Sequence, residues 1–277
     1  MLKITTLIEN MPDKGENLIA EHGLSLYIEF QGKHILFDTG QSGDFLKNAE
    51  KLEKSLQDLD MIVISHGHYD HSGGVPALVK HLSKATKMYV GEGFFEKKYK
   101  LLPEGTYHYN GNPFAEEDLR SPKVLLEKLT EDVTYLTKDI MLFKNFPGVH
   151  EFERLNLKFF LQKGDKYVQD TFSEELVLGL RTEKGLVLVV GCSHVGICNI
   201  LHGVMERVQE PIYAVLGGTH LVEADEQRLE KTIQIFRDCG ISKVAVSHCT
   251  GEKGILYAQE ALGKDFVLNN TGNIFEV

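Results

Sequence analysis

The sequence predicts an α/β fold in which two mixed β-sheets pack face to face with helices on the outer faces. Two observations carry that expectation. Short apolar runs rich in Val, Ile and Leu alternate with stretches of helical periodicity, and each half of the chain opens on two such runs joined by a short polar turn.

In the first half, residues 24–30 (LSLYIEF) and 34–40 (HILFDTG) flank Gln31-Gly32-Lys33 and read as a hairpin. A helix is expected from about Gly43 to Leu56, where Phe45, Ala49, Leu52 and Leu56 repeat at helical spacing. The buried-strand run 61–65 (MIVIS) leads into a Gly/His/Asp loop, a helix over about 74–82 and a strand at 87–91. The second half repeats this grammar. Residues 175–182 and 185–191 form a hairpin around Glu183-Lys184-Gly185, followed by a helix over about 196–208 and a strand at 213–218. A helix over about 224–239 has acidic residues at its start and Gly240 just past its end, as the helix dipole and capping prefer. A strand at 243–248, a helix over 253–262 and a closing strand at 266–270 (FVLNN) complete it. Residues 92–150 break the rhythm with recurrent Gly and Pro between aromatics, and read as an insertion over the cleft of a single domain spanning 1–277.

Composition bounds the function. Of 277 residues, 42% are hydrophobic, enough to bury a core, and 25% are charged without long single-sign runs, which argues against disorder. A formal net charge of −10 speaks against a broad nucleic-acid surface, while leaving room for one basic pocket that takes a phosphorylated small molecule. Without a secretory leader pattern or a membrane-length apolar run, the chain reads as cytoplasmic, and its four cysteines as reduced thiols. The sequence does not set an oligomeric state.

The chemistry concentrates in Ser65-His66-Gly67-His68-Tyr69-Asp70-His71, directly after a buried strand. A helix would scatter these side chains, whereas a loop bending at Gly67 lets three imidazoles and a carboxylate converge. Imidazole and carboxylate together suit zinc, manganese or iron better than calcium or magnesium. Four donors exceed the needs of one three-ligand catalytic zinc and suggest two adjacent ions.

The pattern HxHxDH resembles the defining motif of the metallo-β-lactamase superfamily, and the resemblance runs along nearly the whole chain. It implies an αββα sandwich with a two-metal cleft at one sheet edge. It also implies a supporting role for Asp38, one metal held by His66, His68 and His194, and a second held by Asp70, His71 and His248. The bound ions would be two divalent metals, zinc first, with manganese or iron as alternatives. Many relatives carry an aspartate that bridges the metals, but here the corresponding strand runs into Thr219-His220. Either His220 replaces it as ligand or proton donor, or water alone bridges the ions; Glu223 and Asp225 read as the acidic start of the next helix. Asp70 and His220 are therefore the candidate catalytic groups.

The signatures GCSHVGICN, LGGTHL and SHCTG resemble a subgroup that includes an enzyme joining a dihydropterin methyl diphosphate to an aryl ribosyl phosphate with release of diphosphate. That implies a transferase. A metal-dependent hydrolase of a phosphoester, thioester or lactone is the alternative, and a metal-dependent binding module without turnover is a third. Asn10, Glu21, His22 and Thr250 match subgroup positions and are candidates to line the cleft. In the insertion, Phe94, Phe95, Tyr99, Tyr107, Tyr109, Phe114, Phe143 and Phe146 are candidates to hold an aromatic ring, and Lys97, Lys98 and Lys100 to meet a phosphate. Cys192 and Cys249 read as small buried residues beside the metal loops.

Overall fold

The computed structural model describes residues 1–12 and 17–277. The first half contains β1 (Leu2–Ile8), β2 (Ser25–Phe30), β3 (Lys33–Phe37), α1 (Asp44–Lys51), β4 (Met61–Val63), α2 (Tyr69–Ser72), α3 (Val75–His81) and β5 (Thr86–Gly91). Seven strands follow: β6 (Lys98–Leu101), β7 (Tyr107–Tyr109), β8 (Val124–Leu129), β9 (Val133–Tyr135), β10 (Ile140–Phe143), β11 (Phe159–Lys163) and β12 (Lys166–Gln169). The second half contains β13 (Val177–Thr182), β14 (Gly185–Val190), α4 (Ile197–Val208), β15 (Ile212–Gly218), α5 (Glu226–Asp238), β16 (Lys243–Ser247), α6 (Gly251–Leu262) and β17 (Ile274–Glu276).

These elements form a seven-stranded sheet ordered β17-β1-β2-β3-β4-β5-β8 and a six-stranded sheet ordered β16-β15-β14-β13-β10-β9. Both are mixed, because a hairpin is antiparallel while a strand reached through a helix returns parallel. Thus β2 pairs antiparallel with β3, whereas β3, β4 and β5 run parallel. Likewise β13 pairs antiparallel with β14, and β14, β15 and β16 run parallel.

Alternation along each strand builds the layers. Ile35, Phe37 and Val63 of one sheet meet Leu178, Val189 and Leu216 of the other in the central core. The intervening Leu36 and Ile62 face Phe45 and Leu78 of the helices outside, and Leu188 and Val215 face Ile200 and Phe236. Strands buried on both faces explain the continuous apolar runs. The expected sandwich of two mixed sheets with outer helices is the observed architecture.

Four differences are informative. The first helix ends at Lys51, and Glu53 turns the chain with φ +56°, so Leu56 is buried from a loop. Residues 266–270 do not form a strand: Phe266 makes an isolated bridge to Val244, and the sheet edge is closed by β17 on β1, neither of which the periodicity indicated. Residues 92–150 are not set apart from the sandwich, since β8 extends the first sheet and β9 and β10 the second. Only β6 and β7 of that segment join a separate four-stranded sheet, ordered β12-β11-β6-β7. Finally, Glu223 precedes α5 rather than opening it and pairs with Lys158, while Asp225 caps the helix by accepting from Arg228 N.

Candidate metal centre

The site assembles beyond the C-terminal ends of parallel strands, where crossover connections leave a crevice. Residues 64–74 leave β4, 191–196 leave β14, 219–225 leave β15, and the turn His248–Thr250 leaves β16. At Gly67 a Cβ would lie 2.4 Å from the Phe94 carbonyl oxygen, so the loop closes around the histidines only with glycine there.

All six residues assigned by the resemblance as ligands, His66, His68, Asp70, His71, His194 and His248, are buried. Three rings are anchored from outside at Nδ1: Ser65 Oγ lies 2.9 Å from His66, Asp38 Oδ2 2.6 Å from His71, and Asn10 Oδ1 2.9 Å from His248. Anchoring one ring nitrogen orients the other, so each Nε2 turns inward. Asp38 also accepts from the amide and hydroxyl of Ser65. Two buried glutamates that the sequence did not single out hold the backbone: Glu175 accepts from the amides of His194 and Val195, and Glu9 from that of His248.

Inside this frame the donor atoms crowd together. His71 Nε2 lies 3.1 Å from His248 Nε2 and 3.0 Å from Cys192 Sγ, and Asp70 Oδ2 lies 3.3 Å from His248 Nε2. Donor atoms of Asp70, His71, Cys192 and His248 all fall within 4.8 Å of one another, as do those of His66, Cys192 and His194. His68 sits beside this second group, its Nδ1 3.1 Å from His66 Nε2. His68 Nε2 and both ring nitrogens of His194 are buried without a partner among the described residues.

The electrostatics suit cations. Burial depresses the pKa of His66, His68 and His194 well below the usual value, which keeps them neutral with a lone pair to donate. Burial works against the Asp70 carboxylate, but His71, His22 and His248 outweigh it and hold its pKa well below the ordinary value. Burial also opposes a charged His71, yet Asp38 and Asp70 raise its pKa to about 9, so an ion bound there would displace its proton. Unpartnered buried imidazole nitrogens are costly, and a divalent ion would satisfy them with the N, O and S donors that zinc accepts.

Other candidates divide. His22 Nε2 lies 3.2 Å from Asp70 Oδ2 at the open side, and Asn10 anchors His248. Glu21 instead holds Ser42, and Thr250 bonds Thr219. His220, at φ +48°, gives its amide to Cys249 Sγ, leaves Nδ1 buried with no partner among the described residues, and stands 4.4 Å from the His194 ring. It groups with Cys192 and Cys249, not with Asp70 and His248. Phe114 packs with Phe94 and Phe95 in the core, and Lys98 is buried against Asp170 and Glu174, so neither faces a ligand. The rings beside the histidines are Phe159, 5.2 Å from both His68 and His194, and Phe172, stacked at 4.0 Å on His194. Periodicity gave these two no special mark, because Phe159 reaches the site through the pairing of β11 with distant β6 and Phe172 from the loop between β12 and β13.

A family model described as the metallo-beta-lactamase superfamily matches residues 19–189. The chain belongs to this superfamily. Divalent-metal binding is typical of its members, and the donor clusters fit it. The chain is 30% identical to the 7,8-dihydropterin-6-methyl-4-(beta-D-ribofuranosyl)-aminobenzene-5'-phosphate synthase of Methanocaldococcus jannaschii, across 99% of this chain and 96% of that protein. It is also 30% identical to an uncharacterized protein of the same organism over the full length of both. Among solved structures it resembles Tm1679, described as a metal-dependent hydrolase of the beta-lactamase superfamily, with TM-score 0.86, 29% identity and coverage of 100% and 99% of the two chains. YhfI of Bacillus subtilis, at 12% identity and TM-score 0.62 over the full length of both, shares the metallo-beta-lactamase fold.

Proposed function

We propose that this chain is a dinuclear-metal transferase that moves a dihydropterin-type group onto an aryl acceptor and releases diphosphate. The observation that carries the reading is 30% identity to the M. jannaschii synthase over nearly all of both chains. In this reading His66, His68 and His194 hold one ion and Asp70, His71 and His248 the other, with zinc first and manganese or iron as alternatives. Two divalent ions there would take up the diphosphate and offset the charge that develops as it leaves.

The chain's own residues would do the rest. Ser65, Asp38 and Asn10 hold the rings so that no reorganisation is needed on binding. Phe159 and Phe172 exclude water from one side of the histidines and offer an apolar face to a flat ring. Exposed Lys100, whose Nζ lies 5.9 Å above the Phe159 ring, would meet a substrate phosphate. His220 Nδ1, unpartnered, would receive the proton shed by the acceptor as its new bond forms.

A second reading, hydrolysis, is favoured by the full-length similarity to Tm1679. Diphosphate release from a dihydropterin methyl diphosphate, measured with and without an aryl ribosyl phosphate, separates the two. Release that requires the acceptor is expected. Release without it identifies a hydrolase, and none under either condition leaves a binding module.

A further inference from the structure

We infer that Cys192 is a metal ligand whose thiolate is shared between the two ions. The inference rests on the dinuclear reading above and extends it, because the six ligands named there include no sulfur. Cys192 lies two residues past the end of β14 and is 3% exposed. The Asp70–His71–His248 group and the His66–His194 group have one residue in common, and it is Cys192.

The spacing on each side supports the assignment. In the first group His71 Nε2 lies 3.0 Å from Cys192 Sγ, 3.1 Å from His248 Nε2 and 3.8 Å from Asp70 Oδ2, Asp70 Oδ2 lies 3.3 Å from His248 Nε2, and all four donors fall within 4.8 Å of one another. Ligands at zinc–nitrogen and zinc–sulfur bond lengths around one tetrahedral ion stand roughly 3.3–3.6 Å apart. The separations among the oxygen and two nitrogens bracket that spacing, and the sulfur, 3.0 Å from His71 Nε2 and within 4.8 Å of the other two donors, is near enough to complete the shell of a single ion. On the other side the same sulfur lies within 4.8 Å of the His66 and His194 donors, where both nitrogens of His194 are buried and have no partner among the described residues.

The neighbouring carboxylates are committed elsewhere. Asp38 is bonded to Ser65 and His71, and Glu9 and Glu175 to backbone amides. At the end of β15, Thr219 bonds Thr250 and brings no acid to the cleft. A thiolate has lone pairs enough for two cations, and coordination sends its proton to solvent. Cys249 joins Cys192 and His220 but neither ligand group, so it serves as the control.

X-ray absorption at the zinc edge, on protein whose zinc content is measured in parallel, tests this. A sulfur shell at about 2.3 Å with roughly one sulfur per zinc is expected, because a sulfur bound to two ions counts once for each. The shell should persist undiminished in Cys249→Ser and vanish in Cys192→Ser. A count near half a sulfur per zinc in wild type, or a fall to half in Cys249→Ser, overturns the sharing. Two zinc ions per chain with no sulfur shell overturns Cys192 as ligand and leaves the dinuclear reading standing. Fewer than two zinc ions overturns both.

Discussion

The strand-end segments that carry the histidines, the short helix α2 among them, and the four-stranded sheet of β6, β7, β11 and β12 are held by different forces. In the strand-end segments each anchored ring is fixed by a buried hydrogen bond at one nitrogen, and the backbone beneath is clamped by Glu9 and Glu175. In the small sheet, half-exposed aromatics pack on one another: Tyr107 stacks on Tyr167 at 3.7 Å, and Tyr99 meets Tyr109 at 5.3 Å. A buried polar network has few alternative arrangements, whereas aromatic contacts at a surface tolerate change. Geometry-critical chemistry therefore sits in the strand-end segments. The small sheet contributes one wall, through Phe159.

Substitutions can break or sharpen this contrast. The largest effect is expected at His220: His220→Ala should lower turnover by roughly 10²–10⁴-fold while most of the metal stays bound. Steady-state kinetics with metal analysis checks it; wild-type turnover would make His220 structural, and loss of a whole equivalent would make it a ligand.

Glu175 comes next. Burial raises its pKa to about 7, against the two amide hydrogen bonds that lower it. Below the unfolded value, near 4.5, both states hold the proton and its contribution is fully present. As pH rises toward 7 the unfolded chain ionises first, so stability is lost, on the order of 2–3 kcal/mol. Denaturant unfolding of metal-depleted protein should show wild type losing stability relative to Glu175→Gln across that window. Parallel pH profiles for the two proteins would contradict the assignment.

Asp38→Asn should weaken metal binding by about 10–100-fold, because the carboxylate that orients His71 Nε2 becomes an amide. Competition with a chelator measures it, and unchanged affinity would remove Asp38 from the site. The smallest effect divides the small sheet itself. Phe159→Leu should weaken binding of a pterin or aryl phosphate by about 1 kcal/mol, and Tyr107→Ala should not, with metal content unchanged in both. Calorimetric titration reads the difference; equal affinities would place the aromatic wall elsewhere.

Legibility followed the same divide. The cluster from His66 to His71 stands in six consecutive residues after an apolar run, so local sequence exposes it. Asp38, His194 and His248 are far apart in the chain and were reached through motif resemblance. Glu9, Glu175 and Cys192 were not, because their roles depend on what lies across the cleft. Cys192 read as a small buried residue, and only the through-space distances place it against both donor groups. The small sheet was hidden for a related reason, since Tyr99 pairs with Phe160, some sixty residues away. Likewise β1 and β17 carry no local turn signal, and each is defined by its partner.

Metal content per chain, by elemental analysis of zinc-saturated and exhaustively dialysed protein, tests the dinuclear site most directly. Two ions per wild-type chain and one in Asp70→Ala are predicted. A single ion in wild type, with the same number in Asp70→Ala, would contradict it.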